Sequence, residues 1–295
     1  MKRENALLSR RAVLTALGTA AALMVLGSFL DFPISQALYN ESSLSGIALA
    51  AFGEYPAVLG FAAAGAMLIA GHSREKTLTG ILQCVGGAVL AALGTLMASF
   101  MPSIYLTWPR PVVAVIGVAC GAAVMALVFR LARNAGHEEL IRVGAALFFV
   151  IFAEIALINI VKIPWGRARM RLVANDPRAC FMPWWQTGSE LKDTLVAAGV
   201  AGEEFKSFPS GHTGNAAALI LILGLLPRLD NRLADKKGLL LGIGFAWTAL
   251  VAFSRIIMGA HYLTDTVVGF VVSLLVMSLV CGLVFRKEKV RPAKH

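Results

Sequence analysis

Apolar residues run along this chain in blocks of about twenty, long enough for a helix to cross the hydrocarbon core of a bilayer. The blocks fall near 12–30, 55–71, 78–100, 112–131, 141–161, 212–227, 239–257 and 264–285. The pattern predicts an all-α, polytopic transmembrane bundle of about eight spans. Polar positions are confined to short connections, with two exceptions. Residues 31–54 carry Asp31, Pro33, Glu41 and Glu54 and read as a loop with a short surface helix, and 162–208 forms the one long connection. Neither a repeat nor a low-complexity tail nor a separate soluble segment is visible. The chain therefore reads as a single membrane domain, in which spans over 1–140 precede a core over 141–285.

Composition strengthens this reading. Hydrophobic residues make up 58% of the 295 and charged residues only 15%, where soluble domains carry about a quarter. The net charge of +10 raises nucleic acid as a partner, but the basic residues sit between apolar blocks, where they orient spans and meet anionic lipid head groups. Nucleic acid is accordingly not expected. With the N-terminus placed inside, 18 Lys and Arg fall on the inner side and 9 on the outer, so both termini are expected in the cytoplasm. The basic head MKRENALLSRR before the first block has the look of a signal peptide. It lacks a convincing small-x-small cleavage site, and an uncleaved first span is expected. Cys84, Cys120 and Cys281 lie inside apolar blocks and Cys180 alone in the long connection. They indicate neither a disulfide framework nor a metal cluster, and no metal or cofactor is expected.

One place departs from the charge rule. Lys162, Arg167, Arg169 and Arg171 crowd the outer end of the fifth block, where basic residues should be scarce. Two further polar patches open to the same side: PSGH, Pro209 to His212, and SRIIMGAHYLTD, Ser254 to Asp265. Two spans and one inner loop separate His212 from His261, so both lie on one face whichever face is outside.

Each patch has a chemical reading and a plainer one. Ser210 and Gly211 open a helix, whose first N–H groups can receive an anion, and Gly211 lets the backbone approach it. Taken alone, these residues read first as an ordinary capped helix start. His261 and Asp265 are four apart and share a helix face. The carboxylate could accept the Nδ1–H and leave Nε2 free as a nucleophile, or the two could be a self-satisfied buried pair. Lys162, Arg169 and Arg255 add three cations, which suit a phosphate dianion.

KIPWGRARM, PSGH and SRIIMGAHYLTD together resemble the three-part signature of the type 2 phosphatidic acid phosphatase (PAP2) family, which shares its site with vanadium haloperoxidases. The second and third parts match fully and in order. The first matches at Lys162 and Arg169, with Met170 where the family has proline. That difference should leave the backbone after Arg169 less constrained and opens a phosphate contact to Arg167 or Arg171. The resemblance implies a PAP2-like core in the C-terminal half and a catalytic set of His261 as nucleophile, Asp265 as its orienting group and His212 as acid and base. It further implies a phosphate site of Lys162, Arg169, Ser210, Gly211 and Arg255, without metal.

Other polar residues within the apolar blocks have less specific roles. Glu154, Asn159 and Asn215 are expected to make structural hydrogen bonds inside the bundle, with Asn215 also within reach of the pocket. Trp108, Trp165, Trp184 and Trp185 are expected as interfacial anchors. All three patches lie at span ends, at head-group depth. The expected function is therefore hydrolysis of a lipid phosphate or lipid diphosphate on the extracytoplasmic face through a phosphohistidine. Polyprenyl diphosphate, phosphatidic acid, phosphatidylglycerol phosphate and a lipid A phosphate are all candidates. The rival readings are a phosphatase for a soluble ester and an inactive lipid-handling or transport protein of the same fold. Retention of His212, His261 and Asp265 speaks against the inactive one.

Overall fold

A computed structural model describes residues 7–286. The basic residues counted at the two ends, Lys2 and Arg3, and Lys287, Lys289, Arg291 and Lys294, lie outside the described residues. The chain is all-α, and among the described residues no strand occurs. The helices are α1 (Arg10–Leu38), α2 (Leu44–Phe52), α3 (Tyr55–Ala70), α4 (Thr77–Phe100), α5 (Arg110–Ala132), α6 (His137–Trp165), α7 (Met170–Asn175), α8 (Ser189–Ala197), α9 (Gly211–Leu229), α10 (Lys237–Ile257) and α11 (Leu263–Val284). By length and composition, 8 stretches of the described chain can cross a membrane, one for each block in the sequence.

The main departure from the expected layout lies early in the chain. The first span does not stop at residue 30 but continues through Asp31 and Pro33 to Leu38. The expected loop over 31–54 is mostly helix, and α2 with α3 makes one broken crossing, Leu44–Ala70. Proline is tolerated inside membrane helices because neighbours re-satisfy the freed backbone groups. Asp31 is tolerated because it is buried at 3% exposure and paired, as described below.

α3, α6, α9 and α11 meet at the centre of the bundle. Ala63, Ala64, Met67, Leu147, Ala217, Ile220, Leu221, Leu274 and Met277 interlock there. α4 and α5 pack on its flank and turn Leu82, Val89, Leu96, Val115 and Phe129 outward, as expected of faces solvated by lipid rather than water. Small residues set the closest approaches: a Cβ on Gly65 would come within 2.4 Å of the Gly87 carbonyl oxygen. In lipid, where apolar surface alone does not drive helices together, such contacts carry the packing.

Two local devices bring the site together. Gly166 ends α6 in the left-handed region, φ 69°, and turns the chain back across the bundle end. Gly269 on α11 lies against the start of α9, so closely that a Cβ would sit 2.2 Å from the Ser210 carbonyl oxygen. In addition, the Ser210 amide donates to the Asp265 carbonyl oxygen at 2.9 Å. The PSGH turn and the last polar patch are thereby fixed to each other through backbone.

Candidate active site

At one end of the bundle a cavity of about 690 Å³ is lined by Lys162, Arg169, Gly211, His212 and His261, together with Glu54, Tyr105, Glu154, Arg171, Glu203, Lys206 and Asn215. The three polar patches of the sequence thus open into a single space. Ser210, Arg255 and Asp265 lie just behind its wall, buried at 0%, 1% and 0% exposure.

His261 is 1% exposed, and its Nδ1 lies 2.5 Å from the Ser207 carbonyl oxygen. A carbonyl only accepts, so Nδ1 carries the proton and Nε2 keeps its lone pair. Burial first, and then the nearby Lys162, Arg169 and Arg255, hold this imidazole well below the ordinary histidine value. The ring is a neutral base with one free nitrogen, as a nucleophile must be.

The partner that fixes this tautomer differs from the one expected. Asp265 Oδ2 stands 3.9 Å from His261 Nδ1, too far for a hydrogen bond. It accepts instead from Ser207 Oγ at 2.5 Å and from the Tyr262 amide at 2.8 Å. Asp265 therefore reaches the histidine at one remove, by holding the residue whose carbonyl orients the ring.

His212 presents Nε2 to the Tyr105 hydroxyl at 3.1 Å, and its Nδ1 lies 3.5 Å from Glu54 Oε1. Gly211 is where the phosphate-site reading needs open backbone: a Cβ there would come 3.3 Å from Lys162 Nζ. The Ser210 hydroxyl is already engaged, accepting from the Thr213 amide at 3.3 Å and the Thr213 hydroxyl at 3.0 Å. It caps the helix, and the amides of Gly211 and His212 remain as donors without an intrahelical acceptor, as at any helix start.

The arginines divide into two groups. Arg255 Nε and Nη1 and Arg169 Nε are buried donors with no hydrogen-bond partner among the described residues. Buried guanidinium groups are rarely left so, and a multivalent oxyanion is the kind of ligand that would satisfy them. Arg167 is the opposite case. It is 0% exposed and donates to Asp265 Oδ1 at 2.5 Å, Thr264 Oγ1 at 3.0 Å, Asp31 Oδ2 at 3.0 Å and the Met182 carbonyl oxygen at 2.9 Å. Each of its three nitrogens is already engaged by the protein. Arg171 forms a two-pronged pair with Glu204, at 2.8 and 2.6 Å.

Met170 proves mild as a replacement for proline. It is the first residue of α7, the position where proline fits a helix because the N–H has no intrahelical acceptor. The backbone on either side is pinned, by Arg169 N to the Glu204 carbonyl oxygen at 2.8 Å and Arg171 N to that of Gly259 at 3.0 Å.

Several contributors were not singled out in the sequence. Asp31 accepts from the Thr264 amide at 3.0 Å and from the Thr264 hydroxyl. Glu54 accepts from Asn215 Nδ2 at 2.8 Å. Tyr105 and Ser207 contact the two histidines. Glu154, buried at 3% exposure, has the expected hydrogen bond inside the bundle, to Ser273 on α11, and in addition borders the cavity with Oε1 lacking a partner among the described residues. Trp184, beyond any anchoring role, donates to Ser28 Oγ at 3.0 Å and stacks on Phe208, bracing the approach to PSGH. Among the described residues no three His, Cys, Asp or Glu side chains gather as a metal-binding group.

The described residues thus form an all-α bundle with 8 stretches able by length and composition to cross a membrane and a cavity lined by histidine, lysine and arginine at one end. Residues 143–289 match the PAP2 superfamily, so the chain carries a domain of that family. The chain is also similar to phosphatidylglycerophosphatase B of Haemophilus influenzae, 39% identical over 84 residues, which cover 28% of this chain and 34% of the relative. A second similarity is to phosphatidylglycerophosphatase B of Bacillus subtilis, 36% identical over 77 residues, 26% of this chain and 38% of the relative. The chain thus matches little more than a third of the length of either relative. No solved structure matches the chain.

Proposed function

We propose that this protein is a metal-independent lipid phosphatase that hydrolyses a phosphate ester or diphosphate of a membrane lipid through a phosphohistidine. The observation that carries the reading is the convergence of both histidines on one cavity beside unpaired buried donors of Arg169 and Arg255. Lys162, Arg169, Arg255 and the amides of Gly211 and His212 hold the phosphate oxygens. The His261 Nε2 lone pair attacks phosphorus, the P–O bond to the lipid breaks, and protonated His212 gives its proton to the leaving oxygen. Water then attacks the phosphohistidine, His212 takes its proton, and the N–P electron pair returns to His261. Nδ1 of His261 keeps its proton throughout, against the Ser207 carbonyl. The negative charge that grows on the equatorial oxygens is met by fixed cations in a water-poor site, which is where most of the acceleration arises.

The site sits at the ends of spans, so lipid tails can remain in the bilayer while the head group enters. The names of the two partial relatives make phosphatidylglycerol phosphate the first substrate to test. In detergent micelles containing EDTA, the protein is expected to release inorganic phosphate from at least one of four lipids: phosphatidylglycerol phosphate, phosphatidic acid, a polyprenyl diphosphate or a lipid A phosphate. Vanadate should inhibit. Release that stops on chelation would overturn the metal-free site. Release from soluble esters alone would favour the soluble-substrate reading, and no release from any ester would favour the inactive relative.

The face is proposed to be extracytoplasmic, with both termini inside and residues 1–140 as accessory spans around the core at 141–285. Its support is the charge count and the fact that the basic residues breaking the rule have partners or line the pocket. Single cysteines placed at Ser189 and Asn231 in a background without the native ones should react with impermeant maleimide from opposite sides. Labelling of both from the same side would break this topology.

A further inference from the structure

The catalytic assignments above draw on the matched domain, yet three residues outside it, Glu54, Ile104 and Tyr105, also line the cavity, and two of them are polar. Glu54 lies at the break between α2 and α3, and Tyr105 follows α4. Glu54 occupies the N-cap position of α3 but makes no side-chain cap bond. Its carboxylate turns away from its own helix, accepts from Asn215 Nδ2 at 2.8 Å and stands 3.5 Å from His212 Nδ1. Pro56 follows two residues later in the first turn of α3. Since proline has no amide there, fewer donors at this helix start compete for the carboxylate.

We propose that Glu54 is the positioning residue of the acid–base histidine, an inference that rests on the phosphatase reading. Its carboxylate lies on the Nδ1 side of the His212 ring, 3.5 Å away, which leaves Nε2 toward the phosphate. It also supplies the negative charge that makes an imidazolium tolerable among Lys162, Arg169 and Arg255. The two histidines are thereby given different partners for different tasks. His261, against a carbonyl alone, is a neutral nucleophile, whereas His212, which has a carboxylate 3.5 Å from Nδ1 besides the Ala50 carbonyl, can hold the proton that the leaving group needs. Tyr105 donates to Nε2 while no phosphate is bound and yields that position to the leaving oxygen. The Ala50 carbonyl also lies beside the His212 ring, so it can keep the tautomer when the carboxylate is neutralised. What it cannot supply is the balancing charge.

A charge needed for proton donation matters only when the leaving group needs a proton. Glu54→Gln keeps the size of the side chain and an oxygen for Asn215, and removes the charge. Its kcat/KM would be measured on two micellar substrates, dioctanoyl phosphatidic acid, whose leaving group is an alkoxide, and an alkyl-substituted 4-nitrophenyl phosphate, whose leaving group departs unaided. The expected loss is about 10²-fold on the first, the scale of general-acid catalysis, and less than about threefold on the second, with KM little changed on either. The ratio between the two substrates does not depend on how much of the variant folds. An equal loss on both substrates, or none on either, overturns the positioning role and leaves the phosphatase reading intact. Wild-type protein inert on both removes the phosphatase reading and this inference with it.

Discussion

His261→Ala is expected to lower phosphate release by on the order of 10⁴-fold or more, the scale seen when the nucleophile of a catalytic set is deleted. Alanine removes the nitrogen proposed to form the covalent intermediate, while the cations and the α9 amides proposed to bind phosphate stay in place. Vanadate should therefore still bind this variant, although turnover is lost. His212→Ala should behave differently with a substrate whose leaving group needs no proton. There the first step proceeds, but the water of the second step finds no base, so phosphoryl label should accumulate on protein in an acid-labile, base-stable form. Because burial and neighbouring cations hold the His261 ring below the ordinary histidine value of 6.5, labelling should persist as the pH falls through that value. The same shift has a stability consequence. Below about pH 6.5 the unfolded chain takes up a proton that the folded ring refuses, so the protein loses stability as pH falls from there toward the depressed value. Wild-type turnover in His261→Ala, or label that stays in that variant, would end the nucleophile assignment.

What the sequence disclosed and what it hid follow a physical division. The spans were legible because lipid demands a sustained apolar run, and one signal per crossing suffices. The site was legible where chemistry-bearing residues are clustered in sequence, as in PSGH and SRIIMGAHYLTD, since span parity places them on one face. Hidden were contributions by single residues far away. Asp31 and Pro33 look like the end of a span, yet they lie within α1 because Arg167, 136 residues further on, pairs with the carboxylate. An acidic residue within reach of an apolar block is a signal that could have been followed, since it is costly there unless it has a partner. Glu54 was hidden for a similar reason. The tautomer-fixing role of Ser207 was beyond reach altogether, because a backbone carbonyl leaves no mark in the sequence. The four-residue spacing of His261 and Asp265 suggested a direct bond, but α11 begins only at Leu263. His261 thus precedes the helix on which that spacing argument rests.

Arg167→Met and Arg169→Met, two residues apart, are expected to fail in opposite ways. Among the described residues, Arg167 is the one cation that pairs with both Asp31 and Asp265, each almost fully buried. Its guanidinium also packs 4.3 Å from the centre of the Tyr262 ring. Methionine fills much of the space but strands two carboxylates, and breaking a buried ion pair from one side costs about 3–5 kcal/mol. For a chain of this size, that is a fall in Tm on the order of 10 °C. Arg169 strands no carboxylate when it is lost, because its side-chain Nε has no protein partner among the described residues and its backbone bond to Glu204 survives. Its replacement should change stability by less than about 1 kcal/mol and lower kcat/KM by about 10²- to 10³-fold, as for a lost donor to transition-state charge. Thermal unfolding in detergent and steady-state kinetics on the same preparations separate the two. The reverse pattern, with Arg167→Met stable but weak for phosphate and Arg169→Met unstable, would exchange their roles. It would also dissolve the link by which α1 supports the histidine, since that link runs from Asp31 through Arg167 and Asp265 to Ser207.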